Sequence, residues 1–357
     1  MTVYVDPSGR RITVPGLGGR ADQAHAVGQS DRDPTLIQLS TEGGAAATIY
    51  PALGFNCIDL RLRIGERIVP VIHSEPDVLA GGSPTHNGIP ILFPWPNRIA
   101  ESRYEWDGTD YQLTANDPDG RHCLHGFACD TPWTRFQPGD ADEGSSVMGV
   151  FRISEDAPEH LGQWPGDLVL AVTFALTDQA LKVTSTVSNP DDHPVPFGLG
   201  FHPYFSPLGA GSIEECGVWI DSHGYWRLEG CIPTREVLPV DKLRDFRSSP
   251  EIGDRQLDDV LTELSRFDSG GDGLMDRARL VGGDFAMVMR CDSNWRDIVV
   301  FTPANRASFA IEPYTCPTDA IHMTVDDGRD VGWRVLGPDE SWTGVVELRV
   351  EEAPAKG

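Results

Sequence analysis

Short runs in which apolar and polar residues alternate, each closed by residues that turn the chain, recur throughout this sequence and leave little room for long helices. LRLRIGERIVPVI (60–72) sets two such runs around Gly65-Glu66, and YEWDGTDYQL (104–113) sets two aromatic-rich runs around Asp107-Gly108. A two-residue loop of this kind between alternating runs signals a hairpin. VMGVFRI (147–153), LVLAVTFAL (168–176), LKVTSTVS (181–188), FAMVMRC (285–291), DIVVFT (297–302) and TGVVELRV (343–350) are further strand candidates. With 38 glycines and 28 prolines the punctuation is dense. Strands spaced in this way predict an all-β fold, a large antiparallel sandwich. VLTELSR (260–266) reads as one or two helical turns, and SRFDSGGDGLMDR (265–277) as a surface loop. Length alone fits about two domains, but large sandwiches often exceed that prior as one unit. Residues 1–35 are polar and glycine-rich and read as an irregular arm. One domain is expected over 36–350, with 351–357 as a tail.

The formal charge is −25, from 29 Lys and Arg against 54 Asp and Glu. A field of that sign repels nucleic acid and anionic lipid and disfavours polyanionic substrates. No run approaches the roughly 18 apolar residues of a membrane span. The start, MTVYVDPSGRRITVPG, lacks the apolar centre of a secretory signal. Seven cysteines, an odd number with no CxxC pair, fit reduced thiols in a cytoplasm better than a disulfide framework. A soluble, cytoplasmic protein is expected, with no nucleic-acid or membrane partner. Oligomeric state is not readable.

Four polar stretches stand out. In FAIEPYTCPTDAIHM (309–323) the apolar run Phe309-Ala310-Ile311 leads into a carboxylate, Glu312, and Pro313 is expected to end the strand. A strand is a stiffer mount than a loop, so an acid there is aimed at something. GLGFHPYFSPLG (198–209) carries His202, RHCLHGFACDTPW (121–133) carries His122 and His125, and GIPILFPWPNRIAESRYEWDG (88–108) carries Asn97 and Arg98. Each also fits a structural role: a satisfied core histidine, an arginine holding a loop, a solvent-facing acid at a strand edge. His122, Cys123, His125 and Cys129 offer zinc-type donors, but neighbours on a strand face opposite ways and the spacing matches no common zinc pattern. There is no G-x-S-x-G elbow, and GGSPTHNG (81–88) lacks the ending and following helix of a phosphate loop.

Taken in order and with these gaps, GIPILFPWPNRI, LHGF, GFHPYF and FTPANRASFAIEPYT resemble the aldose 1-epimerase (galactose mutarotase) family over roughly residues 36–350. The resemblance implies a large β-sandwich with an open sugar-binding cleft and a cofactor-free exchange of the α and β anomers of a free aldose. It assigns the general base to Glu312 and the general acid to His202. It assigns sugar contacts to His125 and to Arg98, with Asn97 beside it. It also assigns one to an aspartate in QLDDVL (256–261), for which Asp258 fits better than Asp259. His122 matches no family position.

The chemistry asks for these residue types independently. Opening a pyranose takes a proton from the O1 hydroxyl and gives one to the ring O5. A carboxylate and an imidazolium can do this, each transfer being worth about 10²–10⁴-fold. Sugars also present apolar C–H faces, and Trp95, Tyr104, Trp133, Phe201, Tyr204 and Tyr314 flank the motifs. No more than two of these are expected to touch ligand. Three other readings stay open. One is a hexose-6-phosphate mutarotase, which needs cations such as Arg98, Arg103 and Arg121 converging on a phosphate. The second is a non-catalytic sugar-binding module on the same fold. The third is a lyase or hydrolase, for which no second carboxylate or tyrosine is identified.

Overall fold

The computed structural model describes residues 2–5, 11–14, 35–139, 145–265 and 271–354. Two eight-stranded antiparallel sheets form the body. The first runs in the order Arg135–Pro138, Ser145–Arg152, Val169–Leu176, Ala180–Ser188, Ser341–Glu352, Phe285–Cys291, Met275–Gly282, Gly217–Ile220. The second is ordered Ile232–Pro239, Ser222–Glu229, Asp258–Leu264, Asp297–Phe301, Phe309–Tyr314, Gly200–Phe201, Ile91–Leu92, and Tyr204–Phe205 also pairs with Phe309–Tyr314. A four-stranded sheet, Ile37–Ser40 to Arg67–Pro70, adds to them. This is the large antiparallel β-sandwich that the alternating runs predict.

The pattern in the sequence explains the strands. Leu170, Val172, Phe174 and Leu176 are buried, while the residues between them are partly exposed. Ala180–Ser188 repeats the alternation beside it. Branched and aromatic side chains suit such a half-buried pleat. The Asp107-Gly108 hairpin forms as read, with Thr109 opposite Trp106 and both turn residues at positive φ (48° and 73°), as a two-residue primed turn requires. The Gly65-Glu66 hairpin forms too, with Ile64 opposite Arg67.

Four local readings need correction. The described part of VLTELSR is not helical: Asp258–Leu264 is a strand between Ser222–Glu229 and Asp297–Phe301, so tertiary pairing overrides its local helix preference, and Arg266 lies outside the described residues. Pro313 does not end its strand, which continues to Tyr314. Thr315 N–H donates to the Leu199 carbonyl, so by alternation the N of Pro313 faces that same flank. There the pairing breaks between Gly200↔Tyr314 and Tyr204↔Ala310, so no ladder bond is lost. Within the arm expected to be irregular, Thr2–Val5 and Arg11–Val14 pair as an antiparallel ribbon, and most of the rest of the arm lies outside the described residues. Part of the expected 265–277 loop, 266–270, also lies outside them, and Met275 already begins a strand.

Strands Asp297–Phe301 and Phe309–Tyr314 are buried almost throughout, so both their faces are covered. One face packs into the core. Trp295, just before them, is fully buried against Phe201 of the second sheet (ring centroids 5.4 Å apart) and Trp342 of the first (6.3 Å). Trp295→Ala is therefore expected to cost about 3–5 kcal/mol, read as a lower urea midpoint. An unchanged midpoint would mean that this ring does not tie the sheets.

Candidate functional site

The pleat of the second sheet selects the site. Successive side chains alternate between faces, so residues paired directly across strands share one face. Asp258 lies opposite Phe301, Val299 opposite Glu312, and Asp297 opposite Tyr314. Asp258, Phe301, Val299, Glu312 and Tyr314 accordingly come out together as the floor of one cleft. Asp259 points the other way and is held by Arg244 Nε at 2.6 Å. This answers which aspartate of QLDDVL faces the cleft: it is Asp258. Gly200, opposite Tyr314, leaves room for the tyrosine ring, which a Cβ there would meet at 2.6 Å.

The walls come from the other motif blocks. His202 sits between the two short strands of GFHPYF, its N–H donating to the Pro90 carbonyl (3.0 Å). Arg98–Ile99 pairs with Cys123–Leu124, and His125 N–H donates to the Asn97 carbonyl at 2.8 Å, so Asn97, Arg98 and His125 arrive on one ribbon. Gly126 explains the glycine of LHGF. Its φ is +71°, and a Cβ would collide with the Phe93 backbone that Phe127 and Ala128 bond to. The cleft, about 290 Å³, is lined by all six predicted site residues and by Thr85, His86, Pro118, Leu124, Val299, Phe301, Tyr204 and Tyr314.

Of the six flanking aromatics, Tyr204 and Tyr314 line the cleft, whereas Trp95, Tyr104, Trp133 and Phe201 are buried elsewhere. His122 stays outside it, its Nδ1 accepting from Glu101 N–H at 3.0 Å. The sequence reading missed His86 and Thr85. They lie in GGSPTHNG, outside the four polar stretches and the motif blocks. The available signal was a histidine between turn-formers ahead of an apolar run.

At the centre, His202 Nε2 lies 3.3 Å from Glu312 Oε1, the two residues being 6 % and 1 % exposed. Tyr314 donates its hydroxyl to Glu312 Oε2 at 2.6 Å, and the Tyr204 hydroxyl lies 3.1 Å from His202 Nε2. The His202 ring stacks on Tyr204 and meets His125 edge-on. Arg98 Nη1 donates to Asn97 Oδ1 (3.1 Å) and makes no ion pair among the described residues, so its charge is available to the cleft.

Burial governs the electrostatics. It pushes Glu312 well above the usual carboxylate range, the Tyr314 hydrogen bond and Arg98 opposing it and Asp258 adding to it. It pushes His202 well below the usual histidine value, with His125 and His86 adding to the effect. Burial and then Arg98 bring His125 down to about 3. Asp258 has exposed side-chain surface yet stands in a concavity, and the desolvation there raises it, against Arg98. Tyr314 is raised well above 10, so it keeps its proton and remains a donor. Three cleft residues, His86, Asn97 and His125, have φ between 55° and 78°. Each costs of order 1 kcal/mol in an ordinary side chain, and such residues cluster where the surroundings fix them for a purpose.

These features define a class: an antiparallel β-sandwich whose open cleft sets a buried carboxylate and a buried imidazole side by side. The aldose 1-epimerase family model matches residues 69–349, and the chain belongs to that family. It is 28% identical to an uncharacterized Escherichia coli protein, YphB, over 73% of this chain and 82% of that one. It is 32% identical to human galactose mutarotase over 48% of each chain, so this match spans about half of that relative. Among solved structures, a galactose mutarotase-like protein from Clostridium acetobutylicum superposes with a TM-score of 0.77 at 22% identity, covering 89% of this chain and 95% of that one. Galactose 1-epimerase from Lactobacillus acidophilus gives 0.71 at 18%, covering 92% and 98%.

Tyr314→Phe removes a donor to the charged carboxylate while keeping the ring. Loss of that donor disfavours the anion, so the Glu312 midpoint is expected to rise further in a ¹³C-carboxyl NMR titration. An unchanged midpoint would mean that Tyr314 does not set the state of Glu312.

Proposed function

We propose that this protein is an aldose 1-epimerase that interconverts the α and β anomers of a free aldose. The observation that carries the reading is the 3.3 Å separation of Glu312 Oε1 and His202 Nε2 in the cleft. In a pyranose, O1 and O5 are bonded to the same carbon. The group that takes the O1 proton and the group that protonates O5 must therefore stand side by side, and this pair does. Glu312 takes the O1 proton, His202 delivers one to O5, and C1–O5 breaks to the open-chain aldehyde. Rotation about C1–C2 turns the other carbonyl face, and reclosure runs both transfers backwards. Arg98, Asn97, His125 and Asp258 hold the sugar hydroxyls.

Both pKa shifts oppose charge, so the state in which the pair shares one proton between its two members is widened at both ends. Catalysis needs that proton on His202, and Tyr314 and Arg98 favour this arrangement by stabilising the carboxylate. Below neutrality the pair takes a second proton only well under the ordinary histidine value. Above it, the last proton leaves only well over the ordinary carboxylate value. The expected kcat/KM profile is a plateau with an acid limb below the ordinary histidine value and an alkaline limb above the ordinary carboxylate value. A single ionisation near the ordinary histidine pKa of about 6.5 would contradict it.

A free sugar is favoured over a phosphorylated one by the charges present. Among the lining residues Arg98 is the one arginine or lysine, and Asp258 and Glu312 are acids. Arg103 is exposed on Arg103–Trp106, and Arg121 pairs with Glu101. A pure binding module would have no use for a buried acid–base pair, whose desolvation is unfavourable.

By polarimetry, Glu312→Gln is expected to fold and lose activity by at least about 10²-fold, with His202→Asn similar and His122→Asn near normal. Near-normal anomer exchange in Glu312→Gln, or faster exchange of glucose 6-phosphate than of glucose, would overturn the reading.

A further inference from the structure

His86 has no part in the proton transfers and none in the motif blocks, yet it stands in the cleft wall. We propose that it is a sugar-contacting residue that helps decide which aldoses the cleft accepts. The inference rests on the sugar-binding half of the proposed function.

Three observations support it. The first is placement. The His86 ring lies over Tyr204 (centroids 5.8 Å apart, 27°) and meets Phe301 edge-on (6.4 Å), and both rings line the cleft. Tyr204 stacks in turn on His202, so His86 is the outer member of a ring series that ends at the catalytic imidazole.

The second is availability. His86 is exposed, and among the described residues its ring nitrogens have no hydrogen-bond partner in the protein. An imidazole presents a donor and an acceptor, and a sugar hydroxyl can use either.

The third is the backbone. His86 has a φ of +78°, a strained value for a residue with a side chain. The segment around it is nevertheless fixed from below by two buried asparagines. Asn87 Oδ1 accepts from Glu75 N–H (2.6 Å), and Asn87 Nδ2 donates to the Ser83 carbonyl (2.7 Å). The Asn87 carbonyl accepts from Asn56 Nδ2 (2.8 Å), and Asn56 Oδ1 accepts from Ile89 N–H (2.6 Å). A solvent-facing side chain of no consequence needs no such mounting, and glycine would adopt this φ without strain. The structure keeps a ring where glycine would be easier, and aims it into the cleft.

His86→Gly separates a structural role from a binding role. It relieves the backbone and removes the ring, so its melting temperature is expected to be equal to or above that of the unaltered protein. Its Kd for galactose or glucose is expected to rise about tenfold, the loss of one or two hydrogen bonds. The ratio of kcat/KM between these two epimers should also move toward one. His86→Asn, which tolerates this backbone, serves if His86→Gly does not fold and should show the same weakening. An unchanged Kd in either folded variant overturns the proposal. Measuring Kd by calorimetry keeps this test apart from the mutarotase reading. Sugar binding without anomer exchange in the unaltered protein would end that reading, and the Kd comparison would still decide the role of His86.

Discussion

A carboxylate held out of water on a strand buried on both faces is the constraint around which this structure is organised. Moving an ionised carboxylate into such a place costs several kcal/mol unless the surroundings replace its lost solvent. Here the replacement is built from specific groups. Tyr314 gives Oε2 a short hydrogen bond, His202 faces Oε1, and Arg98 supplies positive charge without being consumed by a permanent partner. The compensation is incomplete, and Glu312 remains raised. An acid fully neutralised by an arginine would be a poor proton acceptor. One left partly uncompensated is poised to exchange a proton with its neighbour, which is what a base that must later act as an acid requires.

The acidic surplus and the cleft act at different ranges. A net charge of −25 is a property of the whole surface, and salt screens it within about 10 Å. Inside the cleft the local arrangement dominates: two acids, one arginine and three histidines, with burial disfavouring the charged form of His125 and His202. A neutral polyhydroxyl ligand meets no net repulsion there. A dianionic phosphate would face Asp258 and Glu312 with one arginine to offset them.

The walls divide the labour. A sheet strand, Phe309–Tyr314, carries Glu312, because a strand backbone, hydrogen-bonded on its flanks, fixes a side chain to within the tolerance that proton transfer demands, and His202 is held between two short strands of the same sheet. Loops carry Asn97, His125 and His86, in left-handed conformations that let a short segment turn its side chain inward. Those conformations are sustained by backbone contacts such as His125 to Asn97 and by the buried asparagines under His86.

How much of this was legible depended on range along the chain. Many strands were legible from the chain alone, since alternation and turn chemistry are local: both two-residue hairpins and the runs at 168–188 fold as written. The sequence also singled out Glu312, His202, His125, Arg98 and Asn97, because polar groups in apolar or turn-rich settings are conspicuous one block at a time, while the aspartate of QLDDVL came only from the family resemblance. It misread 260–266 as helix and Pro313 as a stop, because pairing with strands far along the chain decided both. Only the tertiary structure decided that Asp258 rather than Asp259 turns to the cleft, that Tyr314 anchors the carboxylate, and that His86 joins the wall. The physical reason is the same in each case. A pleat has two faces, and which one becomes a cavity is settled by what packs against the other.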